Sequence, residues 1–557
     1  MKKIQILILT ILCSFSSYLQ SQSVSIQVDV AKPIGEMKPV WAYFGYDEPN
    51  FTTMPNGQKL LTELQNLSPV PVYVRAHNLL TSQGKSVKPD LKWGYTNAYT
   101  EDADGSPVYN WTVVDSIIDS YIHRGMKPLM EIGFMPEALS SSPIPYEHTW
   151  SKGGNLWTGW TYPPKDYTKW RDLVFQWVKH SIERYGVKEV TTWLWEVWNE
   201  PDIPYWSGTF DEYCKMYDFA ADGLKKACPD CIIGGPHTTS PRSEKAYDYL
   251  TRFIRHCLSG INYATGKKGS PLEYIGFHAK GSPEFSDGRI RMNMGAQLKD
   301  IQRGFEAVNS FSNLKKIPIV IGECDPEGCA ACSEKRDPKY GYRNGTMYSS
   351  YTAASFSRIY ELMDLYKVNL KGVVSWSFEF ENQDWFAGYR DLATNGVDKP
   401  VLNIFRMFGL MQGSRIHVAT QEGFNAKQII AQGVRDENDI NALASSTDRS
   451  VSIMVWNYHD DNQKGGIAPI ELNIKNLAAK KVLVHHYRVD HQYSNSFEKW
   501  KSTGSPQEVN DIQYKELERA GQLELFQAPS WFNVASARLT QKFDLPFQGV
   551  SLIHLSW

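Results

Sequence analysis

The sequence lacks a basic excess, and beyond its N-terminus it lacks any long apolar run. Its 557 residues include 59 Lys and Arg against 61 Asp and Glu, a net charge of −2, so composition predicts no nucleic-acid partner. No segment after residue 22 is long and apolar enough to cross a membrane. There is no internal repeat and no low-complexity run, which excludes a repeat architecture. With 42% hydrophobic and 22% charged residues, the chain is predicted to be globular.

Cysteine is scarce too: the sequence has eight, and Cys13 lies in an N-terminal segment with the pattern of a secretory signal peptide. That segment starts Met-Lys-Lys, continues with an apolar run over residues 4–13, and ends in small or polar residues up to residue 23. Such a run is too short to anchor a protein in a bilayer. We therefore expect residues 1–22 to be removed and the protein to be exported, to the periplasm or as a secreted protein.

The seven remaining cysteines include two Cys-x-x-Cys pairs, Cys228/Cys231 and Cys329/Cys332. Two such pairs can form a zinc site, so a metal-dependent protein is one alternative. The pairs are, however, farther apart in sequence than those of a compact zinc module, and export favours disulfides. We predict disulfides or inert thiols, and no metal site. Because seven is odd, at least one thiol stays unpaired or pairs between chains.

The length exceeds one ordinary core, so a large domain plus a smaller one is expected. Between residues 38 and 412, short apolar segments alternate with helical patterns. Eight such segments are found, at 40–46, 70–76, 127–133, 191–198, 231–236, 274–278, 317–322 and 371–378. This pattern predicts the α/β class and a (β/α)8 TIM barrel. The clearest helix covers residues 166–185, between an Asp166 N-cap and Gly186, and its spacing places Trp170 and Trp177 in the core.

Helical patterns vanish after about residue 415, where short alternating strands such as 451–456 and 481–489 follow one another. Turns rich in Asn, Asp and Gly separate them, which predicts an accessory C-terminal β-sandwich of about seven to nine strands over residues 415–557. The segment 24–30 also alternates, so an N-terminal strand within residues 23–37 is expected to join it. We expect this domain to pack against the barrel.

Two connections are unusually long, residues 77–110 and 134–165, and both are rich in Trp, Tyr, Pro, Gly and Ser. Loops that follow barrel strands surround the active-site mouth, so these two are expected to shape a substrate pocket. A surface insertion without a role is the alternative. The aromatic content of 13% suits stacking on sugar rings, although aromatic side chains also fill cores.

Two glutamates stand at the ends of predicted barrel strands. Residues 192–201 read Thr-Trp-Leu-Trp-Glu-Val-Trp-Asn-Glu-Pro, a buried strand that ends in Asn199 and Glu200. Residues 319–323 read Ile-Val-Ile-Gly-Glu and end in Glu323. The strand ends meet at one rim of a barrel. Two carboxyl groups ~5–5.5 Å apart are the catalytic pair of a retaining glycosidase, in which one protonates the leaving oxygen and the other attacks the anomeric carbon.

Three other carboxylates compete for these roles. Glu196 lies inside its strand, so an internal ion pair or hydrogen bond is expected. Asp325 and Glu327 lie past the rim in a loop of Pro, Gly and Cys. The joint placement of Glu200, Glu323 and Asn199 favours those residues over the competitors.

The chain resembles glycoside hydrolase family 39, the family of β-xylosidases and α-L-iduronidases. The matching motifs are Tyr-Val-Arg-Ala-His-Asn-Leu-Leu at 73–80, Lys-Pro-Leu-Met-Glu-Ile-Gly-Phe-Met-Pro at 127–136, the stretch 193–206 around Asn-Glu-Pro, Tyr-Arg-Asn at 342–344 and Tyr-Arg-Val-Asp at 487–490. The resemblance spans about residues 38 to 510. The Asn-Glu-Pro element recurs in many related barrels, whereas Gly-Phe-Met-Pro together with Tyr-Arg-Asn is much more specific.

The resemblance implies roles for individual residues. Glu200 matches the acid/base and Glu323 the nucleophile, while Asn199 matches a residue that contacts the sugar 2-hydroxyl. His77 and His278 match histidines that line the sugar site. The end of strand eight supplies further candidates: Trp376 and Phe378 as pocket walls, and Glu379 and Glu381 either as ligands of hydroxyls or as rim charges.

The sequence departs from the family pattern in two places. Cys324-Asp325-Pro326 follows Glu323 where an aromatic residue or Asn is usual, and Ala279-Lys280-Gly281 follows His278 where an aromatic residue is usual. Both places lie at the sugar-binding rim. Lys280 is expected either to contact an acidic sugar, such as a uronate or a sulfated sugar, or to point into solvent.

These observations together predict a retaining glycoside hydrolase that removes terminal sugars from poly- or oligosaccharides, with β-xylosidase-like activity as the first expectation. An α-L-iduronidase- or α-L-arabinosidase-like enzyme is the alternative within this class. A non-catalytic carbohydrate-binding protein on a barrel scaffold is the alternative from another class. The partner is a carbohydrate, no cofactor or metal is implied, and the sequence carries no signal for an oligomeric state.

Overall fold

The computed structural model describes residues 23–83, 94–148, 156–376, 378–380, 382–463 and 465–557. The predicted signal peptide lies outside this part, as do stretches of both long connections. In the described ranges, no helix has the length and apolarity to cross a membrane.

The strands of the described part are β1 Val24–Glu36, β2 Tyr43–Tyr46, β3 Tyr73–Ala76, β4 Tyr99–Glu101, β5 Pro107–Tyr109, β6 Lys127–Ile132, β7 Tyr146–His148, β8 Leu156–Gly159, β9 Leu194–Val197, β10 Ile232–Thr238, β11 Tyr274–Lys280, β12 Glu284–Ser286, β13 Arg289–Arg291, β14 Pro318–Asp325, β15 Asn369–Trp376, β16 Ala393–Thr394, β17 Val397–Asp398, β18 Ser414–Thr420, β19 Asp439–Ser446, β20 Ser450–Tyr458, β21 Ala468–Lys475, β22 Lys481–Val489, β23 Glu524–Asn533, β24 Arg538–Leu545 and β25 Val550–Ser556. The helices are α1 Pro55–Gln65, α2 Thr112–Ile122, α3 Tyr167–Tyr185, α4 Val187–Val190, α5 Phe210–Ala227, α6 Glu244–Ser259, α7 Met294–Asn309, α8 Thr346–Tyr366, α9 Pro400–Gly409, α10 Ala426–Gln432, α11 Ser496–Ser502 and α12 Asp511–Ala520, with 3-10 turns at Pro49–Thr53, Ser312–Leu314 and Pro338–Asn344.

Eight parallel strands form a closed barrel in the order β2, β3, β6, β9, β10, β11, β14 and β15. The ring closes where Val374 of β15 pairs with Tyr43 of β2. Each barrel strand falls on one of the eight predicted segments, because parallel strands covered by helices must be apolar on both faces. The predicted (β/α)8 barrel is confirmed, and the carboxyl ends of its strands meet at one rim.

Helix α3 shows how local sequence sets an element of the outer ring. Asp166 caps its N-terminus and accepts hydrogen bonds from the backbone N–H of Thr168 at 2.8 Å and of Lys169 at 3.1 Å. Gly186 follows the helix with φ 84°, a conformation that glycine adopts without steric cost. Trp170 and Trp177 are fully buried, as the helical spacing predicts.

A mixed sheet of nine strands forms the accessory domain, in the order β23-β22-β25-β20-β19-β18-β1-β21-β24. The N-terminal strand β1 is part of it, paired with β18 and β21. The sheet folds over a core that includes Ile26, Ile453, Leu472 and Val484. It packs against the barrel, where Arg358 of α8 forms an ion pair of 2.7 Å with Asp439 of β19.

The expectation that helices are absent after residue 415 is wrong. Three short helices, α10 to α12, lie in this region. Side-chain caps rather than apolar periodicity mark α10 and α12: Asn425 and Gln428 form a capping box on the first, and Asn510 and Gln513 on the second. Such brief, polar helices give too weak a periodic signal to be read from hydrophobicity alone.

Candidate active site

Glu200 lies on a tight turn that follows β9 at the mouth of the barrel. Trp198 and Glu200 have φ angles of 75° and 46°, a left-handed conformation that costs energy for residues with a Cβ. The backbone N–H of Glu200 donates to the carbonyl of His237 at 3.0 Å, which holds the turn against the end of β10. Pro201 prevents the strand from continuing. The turn thereby places Asn199 and Glu200 side by side on the wall of a pocket.

Glu323 lies at the end of β14 and faces this turn. It pairs in register with His278 of the neighbouring strand β11, and Nδ1 of His278 lies 2.8 Å from Oε1 of Glu200. One side-chain oxygen or nitrogen from each of Glu200, His278 and Glu323 lies within 4.8 Å of the others. The structure therefore brings together the two glutamates that are 123 positions apart in the sequence.

Two cations contact the Glu323 carboxylate. Nη1 of Arg75 lies 3.1 Å from its Oε1, and Nζ of Lys280 lies 2.6 Å from its Oε2. Burial raises the pKa of Glu323, but the neighbouring positive charges, Lys280 foremost, outweigh burial and hold this pKa well below its usual range. Glu323 is thus an ionised carboxylate at neutral pH.

The surroundings of Glu200 raise its pKa, whereas those of Glu323 lower the pKa of that residue. Burial and the negative charge of Glu323 raise the pKa of Glu200 to about 7. Burial also lowers the pKa of His278 well below its usual value, so the imidazole in contact with Glu200 is neutral. Near neutral pH a large fraction of Glu200 is therefore protonated while the neighbouring Glu323 is ionised, which is the division that acid/base chemistry with two carboxylates requires.

Arg75 links three side chains beneath the site through hydrogen bonds and ion pairs. Its Nε lies 2.6 Å from Oε1 of Glu196, and its Nη2 lies 3.3 Å from Oε2 of Glu131 and 2.9 Å from Oδ1 of Asn199. Nε2 of His237 lies 2.6 Å from the other oxygen of Glu196. Glu196 is therefore held in an internal ion pair, as its position inside the strand predicts.

His77, Asp47 and Trp376 form one side of the site. Nδ1 of His77 lies 3.1 Å from Oδ1 of Asp47, and the indole N–H of Trp376 donates to Oδ2 of Asp47 at 3.2 Å. The rings of His77 and Trp376 pack with centroids 4.3 Å apart. Asp47 thus orients two side chains at once.

These residues surround a narrow pocket that opens into a wider cleft. The narrow pocket has a volume of about 40 Å³, and the residues that line it include Asp47, His77, Asn199, Glu200, Glu323 and Trp376. The cleft has a volume of about 560 Å³, and it is lined by Tyr146, Ile203, Pro204, Thr239, Lys280, Arg336 and Tyr340, among others. Glu200 and Tyr205 line both spaces. A carboxyl group at such a junction can reach a bond that joins a group in the pocket to a group in the cleft.

The comparison with known proteins decides the family. Residues 24–532 match the sequence profile of glycosyl hydrolases family 39. The chain belongs to glycoside hydrolase family 39. The predicted resemblance is thereby confirmed, and this family 39 chain is a glycoside hydrolase.

Individual relatives include a β-xylosidase from Geobacillus stearothermophilus, 26% identical over 450 residues that cover 78% of this chain and 77% of the relative. An α-L-iduronidase from Mus musculus is 23% identical over 566 residues, covering 95% of this chain and 80% of the relative. The solved structure of a bacterial orthologue of human α-L-iduronidase superposes with a TM-score of 0.75 at 20% identity, covering 96% of this chain and 84% of that one. This structural similarity supports the fold.

Several predicted site residues of the family 39 enzyme lie elsewhere. Glu379 is buried outside the pocket, where its Oε1 accepts a hydrogen bond from the backbone N–H of Gly396 at 2.8 Å, so its predicted contact with hydroxyls is not what the structure shows. Phe378 is also not a pocket wall, because its ring stacks on that of Tyr46 in the core at 4.5 Å. Glu381 lies outside the described residues.

The competitors of Glu323 face inward. Oδ2 of Asp325 lies 2.6 Å from Nζ of Lys280, and Oε1 of Glu327 lies 2.6 Å from Nη2 of Arg343. Lys280 is buried and joins both Glu323 and Asp325, so the expectation that it points into solvent is wrong.

Both Cys-x-x-Cys pairs form disulfides. Three buried thiols remain free in the described part: Cys214, Cys257 and Cys324.

Sequence reasoning did not single out Arg75, Asp47, Glu131 or His237. Arg75 carried a usable signal, since a charged residue two positions before His77 in an apolar barrel strand must find partners inside the barrel. The others gave none, because their partners come from distant strands.

Proposed function

We propose that this glycoside hydrolase works with retention of anomeric configuration, with Glu200 as the acid/base and Glu323 as the nucleophile. The observation that carries the proposal is the separation of the two carboxylates, whose nearest oxygens lie within 4.8 Å. Retaining enzymes hold their carboxyl groups ~5–5.5 Å apart, whereas inverting enzymes leave about 6.5–9.5 Å for a water molecule. The short distance between Glu200 and Glu323 supports direct attack of the Glu323 carboxylate on the sugar, without an intervening water molecule.

In the first step the protonated carboxyl of Glu200 gives its proton to the glycosidic oxygen while Glu323 attacks the anomeric carbon. The bond between the anomeric carbon and the leaving group breaks as the bond to a carboxylate oxygen of Glu323 forms. The leaving oxygen receives the proton of Glu200 and departs neutral, while Glu323 becomes a neutral ester. In the second step ionised Glu200 takes a proton from water, and the resulting hydroxide displaces Glu323. The pKa of about 7 for Glu200 suits both directions of this proton transfer. Once the glycosyl ester forms, the negative charge of Glu323 is gone, which favours ionised Glu200 for the second step.

The terminal sugar is proposed to occupy the narrow pocket and the leaving group the wider cleft. Asn199, His77 and Asp47 supply polar atoms around that pocket, which suits recognition of hydroxyl groups. β-Xylosidase-like activity is the first proposal, in agreement with the relative from Geobacillus stearothermophilus.

A specific observation favours a second candidate, α-L-iduronidase-like activity. Lys280 places a buried cation 2.6 Å from Glu323, a residue that lines the narrow pocket, so a carboxylate on the terminal sugar would find an opposite charge close by. The alignment with the murine α-L-iduronidase also covers 95% of this chain. In either case we propose an exported enzyme, which the two disulfides support because they persist in oxidising compartments.

Two measurements test the proposal. A panel of nitrophenyl and methylumbelliferyl glycosides, including β-xyloside, α-L-arabinoside and α-L-iduronide, should show release of the aglycone with one preferred sugar. Proton NMR of the first product should then show the anomer of the substrate before mutarotation. Binding without release on every sugar would support a non-catalytic carbohydrate-binding barrel, and the opposite anomer would exclude Glu323 as a nucleophile.

A further inference from the structure

Asp47 supplies a third carboxylate to the wall of the narrow pocket, besides the two glutamates of the proposed chemistry. It follows β2 directly, and only 7% of the residue is exposed. Nδ1 of His77 lies 3.1 Å from Oδ1 of Asp47, and the indole N–H of Trp376 donates to Oδ2 at 3.2 Å. A carboxylate offers about four acceptor positions. Among the described residues these two side chains are its hydrogen-bond partners, so Asp47 keeps acceptor capacity for a ligand.

The imidazole of His77 lies between Asp47 and the proposed nucleophile. Its Nδ1 contacts Asp47, while its Nε2, on the other side of the ring, lies 3.5 Å from Oε1 of Glu323. One imidazole with a polar contact at each end therefore separates the two carboxylates. A pyranose has a comparable length when Glu323 approaches its anomeric carbon at about 3–3.5 Å and a hydroxyl at its other end donates a hydrogen bond. The end of the ring that carries C3 and C4 then falls at Asp47.

Asn199 provides the hydrogen-bonding group near the anomeric carbon. Its Oδ1 accepts a hydrogen bond from Nη2 of Arg75 at 2.9 Å, so its amide N–H groups are the part left for a ligand. Asn199 adjoins Glu200 in the sequence and lines the same pocket. The narrow pocket thus offers an amide donor near one end of a sugar ring and a carboxylate acceptor near the other. Hydroxyl groups can both donate and accept, so a pyranose with hydroxyls on C2, C3 and C4 matches this arrangement.

We propose that Asp47 is a substrate-binding residue, whose carboxylate accepts a hydrogen bond from the hydroxyl on C3 or C4 of the terminal pyranose. A hydroxyl that is buried away from water needs an acceptor, and a carboxylate forms a stronger hydrogen bond than a neutral acceptor. The inference rests on the proposed function, because it takes Glu323 as the group that attacks the anomeric carbon. It holds for both candidate sugars, since xylose and iduronic acid each carry hydroxyls on C2, C3 and C4.

A purely supporting role for Asp47 makes a different prediction. Asp47 also orients His77 and Trp376, so its loss could lower activity without any contact with the sugar. In that case the loss would be the same factor on every substrate. A direct hydrogen bond instead couples the loss of Asp47 to the loss of one particular hydroxyl.

The test combines Asp47→Ala with substrates that each lack one hydroxyl. They are the aryl glycoside that the wild type prefers and its 2-deoxy, 3-deoxy and 4-deoxy forms. We expect Asp47→Ala to lower kcat/KM on the parent glycoside by about 10–100-fold. On the 3-deoxy or the 4-deoxy substrate the same variant should cost less than about threefold, because the hydrogen bond is already missing. On the 2-deoxy substrate its full cost should remain.

Asp202 offers a matched control. It is also a buried carboxylate at this rim, where it accepts a hydrogen bond from the backbone N–H of Thr239 at 2.8 Å, but it lines a separate cavity. Asp202→Ala should therefore change kcat/KM by one common factor on all four substrates. Asp47→Asn keeps the shape of the side chain, so it replaces Asp47→Ala if the alanine variant has a lowered melting temperature, and it should show the same pattern across the substrates with smaller factors.

The outcomes separate this inference from the proposed function. If the wild type cleaves no glycoside, the proposed function fails. If the wild type cleaves glycosides but the position 47 variants lose the same factor on all four substrates, as Asp202→Ala should, then Asp47 only supports its neighbours. That result would overturn the inference and leave the proposed function standing. Coupling to the 2-hydroxyl alone would also overturn it.

Discussion

Nζ of Lys280 lies 2.6 Å from Oε2 of Glu323, and the same ammonium lies 2.6 Å from Oδ2 of Asp325. All three groups are buried, so their interaction is screened little by solvent. Lys280 lowers the pKa of Glu323 and also lowers that of Glu200. One cation therefore lowers the pKa of both proposed catalytic groups.

Removal of this cation should shift the whole pH profile. Activity requires ionised Glu323, which sets the acid limb, and protonated Glu200, which sets the basic limb at about pH 7. In Lys280→Met both pKa values rise, so both limbs of kcat/KM against pH should move to higher pH. The measurement is a pH series on an aryl glycoside with a neutral sugar. Limbs that stay in place would show that Lys280 does not tune these carboxylates.

Loss of the nucleophile should be severe and chemically rescuable. Glu323→Ala removes the group that forms the covalent intermediate, so kcat should fall by about 10⁴-fold or more. Added azide should restore turnover and give a glycosyl azide of inverted configuration, since a small anion fits the space that the carboxylate leaves. Full activity of Glu323→Ala, with azide rescue seen only in a Glu200 variant, would reverse the role assignment.

Loss of the acid should depend on the leaving group. Glu200→Gln cannot donate a proton, so turnover of substrates with poor leaving groups should fall by about 10²–10⁴-fold. Dinitrophenyl glycosides need no protonation and should lose far less in the first step. The basic limb near pH 7 should also disappear from the profile. Equal losses for good and poor leaving groups would argue against acid catalysis by Glu200.

A fourth prediction concerns stability rather than catalysis. Asp166 caps α3 with two backbone hydrogen bonds, so Asp166→Ala should cost about 1 kcal/mol of folding free energy. Asp172 lies on the exposed side of the same helix, with 48% of its side chain exposed, and Asp172→Ala should leave stability nearly unchanged. Urea denaturation followed by tryptophan fluorescence would compare the two variants, and equal midpoints would contradict the capping argument.

The sequence predicted the barrel strands well because a buried parallel strand is apolar along its whole length, as in the Trp-rich residues 192–198. It also predicted which residues end strands at the rim, including Glu200, His278 and Glu323. The prediction was weaker past the strand ends. Trp376, still inside β15, lies on the pocket, but Phe378 and Glu379, only two and three residues further, turn away into other parts of the structure.

By itself the sequence determined the barrel, the domain order, the family and the pair of rim glutamates, because periodicity and strand ends are local properties of the chain. Only the tertiary structure decided how the two glutamates differ in protonation, that Glu196 pairs with Arg75, and that Lys280 faces inward. Only the fold, likewise, placed Gly328 and Cys329 on the walls of both cavities. These features depend on distances between side chains from different strands, and on the low dielectric in which they meet, neither of which is written in any single stretch of residues.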